Sequence, residues 1–188
     1  MTASPWLWFT ILMLAITNVA LAGPYQVTLP FLVKDHLRAD VGTLGLLYTA
    51  FPVGYVLGGL WLGRQTRIRR RGWLANGTTI VAGLGMLALG LPIGIAGMLL
   101  AAVINGAALE MFSLVWTNTM QELVPNDKLG RVSSIDMLGS FALLPVGYGL
   151  TGWATNLIGP AAVCILGGAI TVAVAALGLL HPAIRRLD

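Results

Sequence analysis

The sequence predicts an all-α membrane protein, with six transmembrane helices in one bundle. Three observations predict it. Of the 188 residues, 57% are hydrophobic and only 10% are charged, against roughly 25% charged in a soluble domain. The apolar residues fall into six runs, each long enough to cross a bilayer core of about 30 Å as a helix. The basic residues gather on one side of the zigzag these runs define. A soluble enzyme, a disordered tail and a nucleic-acid binder are all excluded by this balance.

The first segment spans residues 6–33. Ala20-Leu21-Ala22 has the look of a signal-peptide cleavage site, but no Lys or Arg precedes the apolar run, so cleavage is not expected. Pro24 and Pro30 are expected to interrupt this helix near its outer end. The second segment, 44–62, contains Pro52. The third and fourth, 73–91 and 93–120, are separated only at Pro92. As one helix, residues 73–120 would be about 72 Å long, more than twice the bilayer core. A tight reversal at Pro92 is therefore predicted, since proline removes a helix donor and clashes with the preceding turn. The fifth segment, 135–157, follows the polar stretch QELVPNDKLGR. Pro125-Asn126 marks a turn there, and Ser133 and Asp136 have capping-box spacing for the helix start. Pro145 falls inside this fifth helix. The sixth segment covers 161–180. The whole chain, 1–188, reads as a single six-helix domain without a linker or low-complexity tract.

Orientation follows from charge. With the N-terminus inside, the inner loops hold Arg64, Arg67, Arg69, Arg70, Arg71, Lys128, Arg131, Arg185 and Arg186. These are nine of the 11 basic residues, and only Lys34 and Arg38 lie outside. This asymmetry predicts cytoplasmic termini. The run RQTRIRRRG reads as a topology anchor beside anionic membrane lipid, not as a nucleic-acid patch.

Lipid does not drive apolar helices together, so close packing needs small side chains. The 24 glycines supply three small-xxx-small pairs: Gly54 with Gly58, Gly59 with Gly63, and Gly147 with Thr151. The single Cys164 lies in an apolar run and reads as a small buried hydrophobe.

Charged groups at membrane depth are costly and mark function. Glu110 is the only acid deep inside a predicted span. It shares a helix face with Thr117 and Gln121, while Asn105 lies about 140° away by helical spacing and should meet another neighbour. Glu110 reads either as a proton-exchanging acid of a carrier or as a hydrogen-bonded structural acid between helices. Asn18 and Tyr25 share one face of the first helix and Gln26 lies about 80° from it. All three could face a cavity or join helices. Trp116 reads as cavity lining or packing. Asp136 reads as a helix cap or as a gate contact with Arg131 or an arginine of the second loop. No nucleophile–base arrangement, metal-ligand cluster or phosphate-binding glycine loop is visible, so neither an enzyme nor a cofactor is expected.

Two stretches resemble exporters of the major facilitator superfamily, of the type that exchanges drugs or metabolites for protons. They are AGPYQVTLPFLVKDHL, residues 22–37, and QELVPNDKLGRVSSIDMLGSFALLPVGYGLTGW, residues 121–153. In those twelve-helix carriers they match the seventh and the tenth-to-eleventh helix regions. The segment GGLWLGRQTRIRRRG resembles a diverged copy of the loop motif G-x-L-A-D-R-x-G-R. Gly59 and Arg64 match its glycine and arginine, while Gly63 replaces its acid. The resemblance implies the C-terminal six-helix half of such a carrier, with a possible 3+3 inverted repeat, in a bacterial plasma membrane. It places Glu110 and Trp116 in a cavity-lining helix. It implies proton-coupled export of a small amphipathic molecule, with a second six-helix half or a homodimer as partner. The alternative is a remnant, or an accessory membrane subunit that regulates a full carrier.

Overall fold

The computed structural model describes residues 5–65 and 70–180, with side chains from Leu12 onward except His36. Arg67, Arg69, Arg185 and Arg186 of the charge argument lie outside the described residues. Among the described residues there is no strand, and six helical spans are long and apolar enough to cross a membrane.

Helix α1 begins as an α-helix over Pro5–Gly23. It continues through a π turn at Pro24–Thr28, a short α turn at Leu29–Phe31 and a second π turn at Leu32–His36. Pro24 and Pro30 therefore widen the ladder without ending the helix. A π turn reaches one residue further for its carbonyl and so accommodates the missing proline donor. Asp40 caps α2, Val41–Gly63, by accepting from the Thr43 backbone N–H and hydroxyl, each at 3.0 Å. Those bonds hold its carboxyl below the usual aspartate range. Helix α3 spans Arg71–Leu89 and α4 spans Gly94–Leu123. The reversal between them falls at 90–93, around Pro92, and Gly94 takes φ +69°, a conformation open to glycine.

The fifth span differs from expectation. Its helix starts at Asn126, with Pro125 at the N-cap, so Ser133 lies inside the helix and caps nothing. Pro125 supplies the stop and Asp127 the first-turn acid, which favours initiation there. The span also breaks in two: α5 is Asn126–Phe141, α6 is Leu144–Ile158, and Pro145 sits in the first turn of α6. The proline cannot donate to the turn before it, and the joint falls there. Helix α7, Pro160–Leu180, follows Gly159.

The helices pack in the order α2, α4, α3, α7, α1, with α5 and α6 both against α1. Close backbone approach holds the first two contacts together. A side chain at Gly54 or Gly58 would collide with the backbone of α4 at Val103 or Ala107, and one at Gly106 with the backbone of α2 at Phe51. Gly147 meets Val19, and Gly23 meets the Thr151 hydroxyl, so the third small pair seats α6 on α1. The Gly59–Gly63 pair does not act as one: nothing lies near Gly63. A core of Leu29, Leu32, Leu47, Met86 and Met98 fills the end of the bundle that holds the α1–α2 and α3–α4 turns, hereafter the hairpin end. The α5–α6 span is the least buried of the six, and α2 the next least.

Asn105 is 1% exposed and donates to the Ala82 carbonyl of α3 at 2.7 Å. It thus faces away from Glu110, as its helical angle requires. Asn105→Leu is expected to lower the thermal midpoint in detergent, by about 1–2 kcal/mol for the lost interhelical bond. Unchanged melting would show that the bond adds nothing.

Candidate functional site

Glu110 lies 13 residues before the end of α4, about 20 Å along the axis and so near mid-span. It faces α2 across the tightest helix contact of the bundle. A side-chain carbon on Gly59 would stand 3.4 Å from the Glu110 Cγ and Oε1. Gly59 therefore leaves the space the carboxylate occupies. The Tyr55 hydroxyl donates to Glu110 and accepts from Ser113. Two helices thus share a short polar chain at a depth where water is scarce. Tyr55 is 39% exposed and Glu110 half-buried, so the group borders an open face.

From Tyr55 a row of rings leads towards the hairpin end. Tyr55 and Phe51 have centroids 6.2 Å apart, Phe51 and Tyr25 5.0 Å, and Tyr25 and Tyr48 5.7 Å with planes at 75°. Tyr25 donates to the Leu47 carbonyl at 3.1 Å, and Tyr48 to the Gln26 carbonyl at 3.5 Å. The π turn at 24–28 brings both Tyr25 and the exposed Gln26 against α2.

Other candidates lie elsewhere. Asn18 donates to the Ser140 carbonyl of α5 at 3.4 Å, so it does not join Tyr25 in one site. Trp116 Nε1 donates to Asp136 at 3.1 Å, joining α4 to α5. Asp136 is therefore neither a helix cap nor a partner of Arg131, and its second oxygen is buried without a hydrogen bond. Thr117 is exposed two turns beyond Glu110. Arg64 and Arg131 are exposed at helix ends, and among the described residues the one ion pair joins Arg71 of α3 to Glu122 of α4. The rings of Phe51 and Tyr55, and Ser113, were not singled out from the sequence. The spacing of Tyr48 and Tyr55, seven residues apart on one helix, is the signal that could have found them.

Trp116→Phe removes the donor and leaves Asp136 unpartnered. A loss of about 1–3 kcal/mol is expected, as for an unsatisfied buried acceptor. Trp116→Phe with Asp136→Leu should recover most of it in the same thermal melts. Equal losses in single and double variants would mean the bond contributes nothing.

A separate groove of about 390 Å³ opens between α1, α6 and α7, lined by Ile16, Val19, Leu150, Leu166 and Ile170. Its only polar side chain is Thr151, and it shares no residue with the Glu110 group.

Comparison with known proteins adds to this geometry. The family model of the Major Facilitator Superfamily matches residues 7–186, nearly the whole chain. The chain belongs to the major facilitator superfamily. Among curated relatives, macrolide efflux protein A of Streptococcus pyogenes is 23% identical over 182 residues, covering 96% of this chain and 45% of the relative. The same protein from a serotype M6 strain matches equally. The chain thus spans about half the length of the curated relatives it matches. No solved structure matches the chain. A member of this family with six helices long and apolar enough to cross a membrane is an integral, multi-pass membrane protein.

Proposed function

We propose that this chain is half of a proton-coupled exporter of small amphipathic compounds in a bacterial plasma membrane, with cytoplasmic termini. It would act with a second six-helix bundle, either another polypeptide or a second copy of itself. The observation that carries this reading is the lone mid-span carboxylate of Glu110, held between α2 and α4 beside an open face, in a chain of a transporter family. The match to a protein named for macrolide efflux favours export. Carriers with two such bundles alternate access by rocking one against the other around a midplane site. The sparse burial of α2 and α5–α6 gives a partner bundle two faces to cover.

In this reading Glu110 takes and releases the coupling proton. Tyr25, Gln26 and Thr117 border the cavity, and Asn18 and Trp116 brace its far side through α5. Gly59 keeps the carboxylate's space open. Arg64 and Arg131 stand at the inner ends, and Asp136 acts there through Trp116. A 3+3 inverted repeat would relate the first three spans to the last three.

The test is reconstitution of the purified protein, with its mass determined in mild detergent. Ethidium movement is then followed in vesicles under an imposed pH gradient, with and without a protonophore. Gradient-dependent transport by a defined dimer, or on adding a partner bundle, is the expected result. Gradient-independent behaviour identical to empty vesicles in every assembly would overturn it in favour of a non-transporting remnant or accessory subunit.

A further inference from the structure

The proposed transport leaves the groove between α1, α6 and α7 unused. We infer that this groove is a binding site for one acyl chain of a membrane phospholipid, which lies along α1 and fills the gap between α6 and α7.

Helices α6 and α7 lean on α1 more than on each other. Gly147 lets α6 close on α1, where an added Cβ would stand 2.8 Å from Val19. Gly167 does the same for α7, where an added Cβ would collide with the Ala20 carbonyl. The result is two walls over a floor of α1. On α6 the lining runs from Leu143, at the joint with α5, to Ile158, beside the turn into α7. That turn stands at the hairpin end, since a Cβ on Gly90 of the α3–α4 turn would meet the Ala161 carbonyl. The groove therefore lies in the half of the membrane nearer the hairpin end.

Chemistry and width choose the occupant. Thr151 is the only polar side chain in the lining, and its hydroxyl is turned against Gly23 of α1. A buried water needs several polar partners and finds at most one here. The rims carry Ile16, Leu150, Leu166 and Ile170, each at least 40% exposed. The groove is thus continuous with the surface the spans turn to lipid hydrocarbon. Along α1 it follows Ala15 to Pro24, about 14 Å. Its volume of about 390 Å³ over that length gives a cross-section of about 30 Å². A helix with its side chains is about 10–12 Å across and needs about 80 Å² or more, so a partner's helix cannot enter. One hydrocarbon chain, running along the helices, fits. Left empty, the groove would lose dispersion contacts along both walls. A lipid tail restores them, and it is as apolar as the leucines it touches. No charged residue lines the groove, so the headgroup takes no part in recognition.

The test applies no gradient, so its outcome is separate from that of transport. The purified full chain is reconstituted with phospholipids that carry a photoreactive diazirine at mid-chain, cross-linked, and mapped by mass spectrometry. Phospholipid retained in mild detergent is counted by native mass spectrometry. Labelling concentrated on the groove residues of α1, α6 and α7, over the outward faces of α2 and α5, is expected, with one phospholipid retained per chain. Phosphatidylglycerol, phosphatidylethanolamine and phosphatidylcholine should label alike. Ala154→Phe, which puts a ring between the walls, should lower both readouts at least about fivefold, because the ring takes the volume the chain's contacts need. Leu157→Phe, exposed on the same helix outside the groove, should change neither. Even labelling of all exposed helix faces, strong dependence on the headgroup, or full retention in Ala154→Phe overturns the proposal. If Ala154→Phe instead splits a dimer, the occupant is a side chain of a second copy and the acyl-chain assignment falls. If Ala154→Phe loses its cooperative melting transition, the labelling pattern and the headgroup comparison decide.

Discussion

Gly54→Leu is expected to stop α2 from docking on α4 and to cost the folded protein about 3 kcal/mol or more, at the upper end of overpacking penalties. The reason is the partner. At Gly54 an added Cβ meets the carbonyl and Cα of Val103, which belong to a helix backbone and cannot rotate away. Gly58 and Gly106 make reciprocal approaches at Ala107 and Phe51, so the two helices are fixed over about two turns. In lipid this close packing has no hydrophobic effect between helices to fall back on. Gly63→Leu is the control, since nothing stands within 4 Å of that position. Thermal melting in detergent should show a large fall for Gly54→Leu and none for Gly63→Leu. Similar melting of both variants would mean that the α2–α4 contact is not the strongest in the bundle.

Glu110→Gln is expected to abolish gradient-driven transport while leaving the fold intact. Glutamine keeps the size and can still bond to Tyr55, so the α2–α4 contact survives. It cannot release a proton, so any step that couples movement to protonation is lost. Transport in vesicles should fall to the level of the empty control, a loss of at least about 100-fold for a group essential to proton transfer. Glu110→Asp, with a shorter reach to Tyr55, should retain part of the rate. Normal pH-driven transport in Glu110→Gln would remove Glu110 from the coupling scheme and leave it a structural acid.

Most of the architecture was legible because it depends on single-residue properties. Span number follows from apolar run length. The reversal at Pro92 follows from an impossible helix length. The Gly54–Gly58 and Gly147–Thr151 contacts follow from size at helical spacing. The fifth span was misread because Ser133 and Asp136 imitate a cap, while the real initiation signal, Pro125 followed by Asn126 and Asp127, lies within a stretch too polar to look like a membrane helix. Glu110 stood out in the sequence as an acid inside an apolar run, and the structure sets it between α2 and α4 without deciding between a coupling and a structural role. Its neighbours did not stand out. Tyr55 and Phe51 look like any aromatic in a membrane helix, and Ser113 like any small packing residue. The partner of Asp136 was missed because a pairing across helices depends on rotation and depth, which spacing along one helix does not contain. Asn18 shows the same limit: it shares a face with Tyr25, yet the two meet different helices.

The packing order also has a consequence for biosynthesis. Helix α1 leaves the ribosome well before its partners α5, α6 and α7. The 107 residues between the end of α1 and the start of α6 take roughly 5–20 s to synthesise at about 5–20 residues per second. Helices α2, α3 and α4 can meet one another earlier, since each is close in the chain to its partner. The nascent protein therefore waits with a consolidated three-helix group and a stranded first helix, whose glycine and threonine face is open to lipid and to membrane proteases. How long α1 stays exposed is set by how fast α5, α6 and α7 follow it.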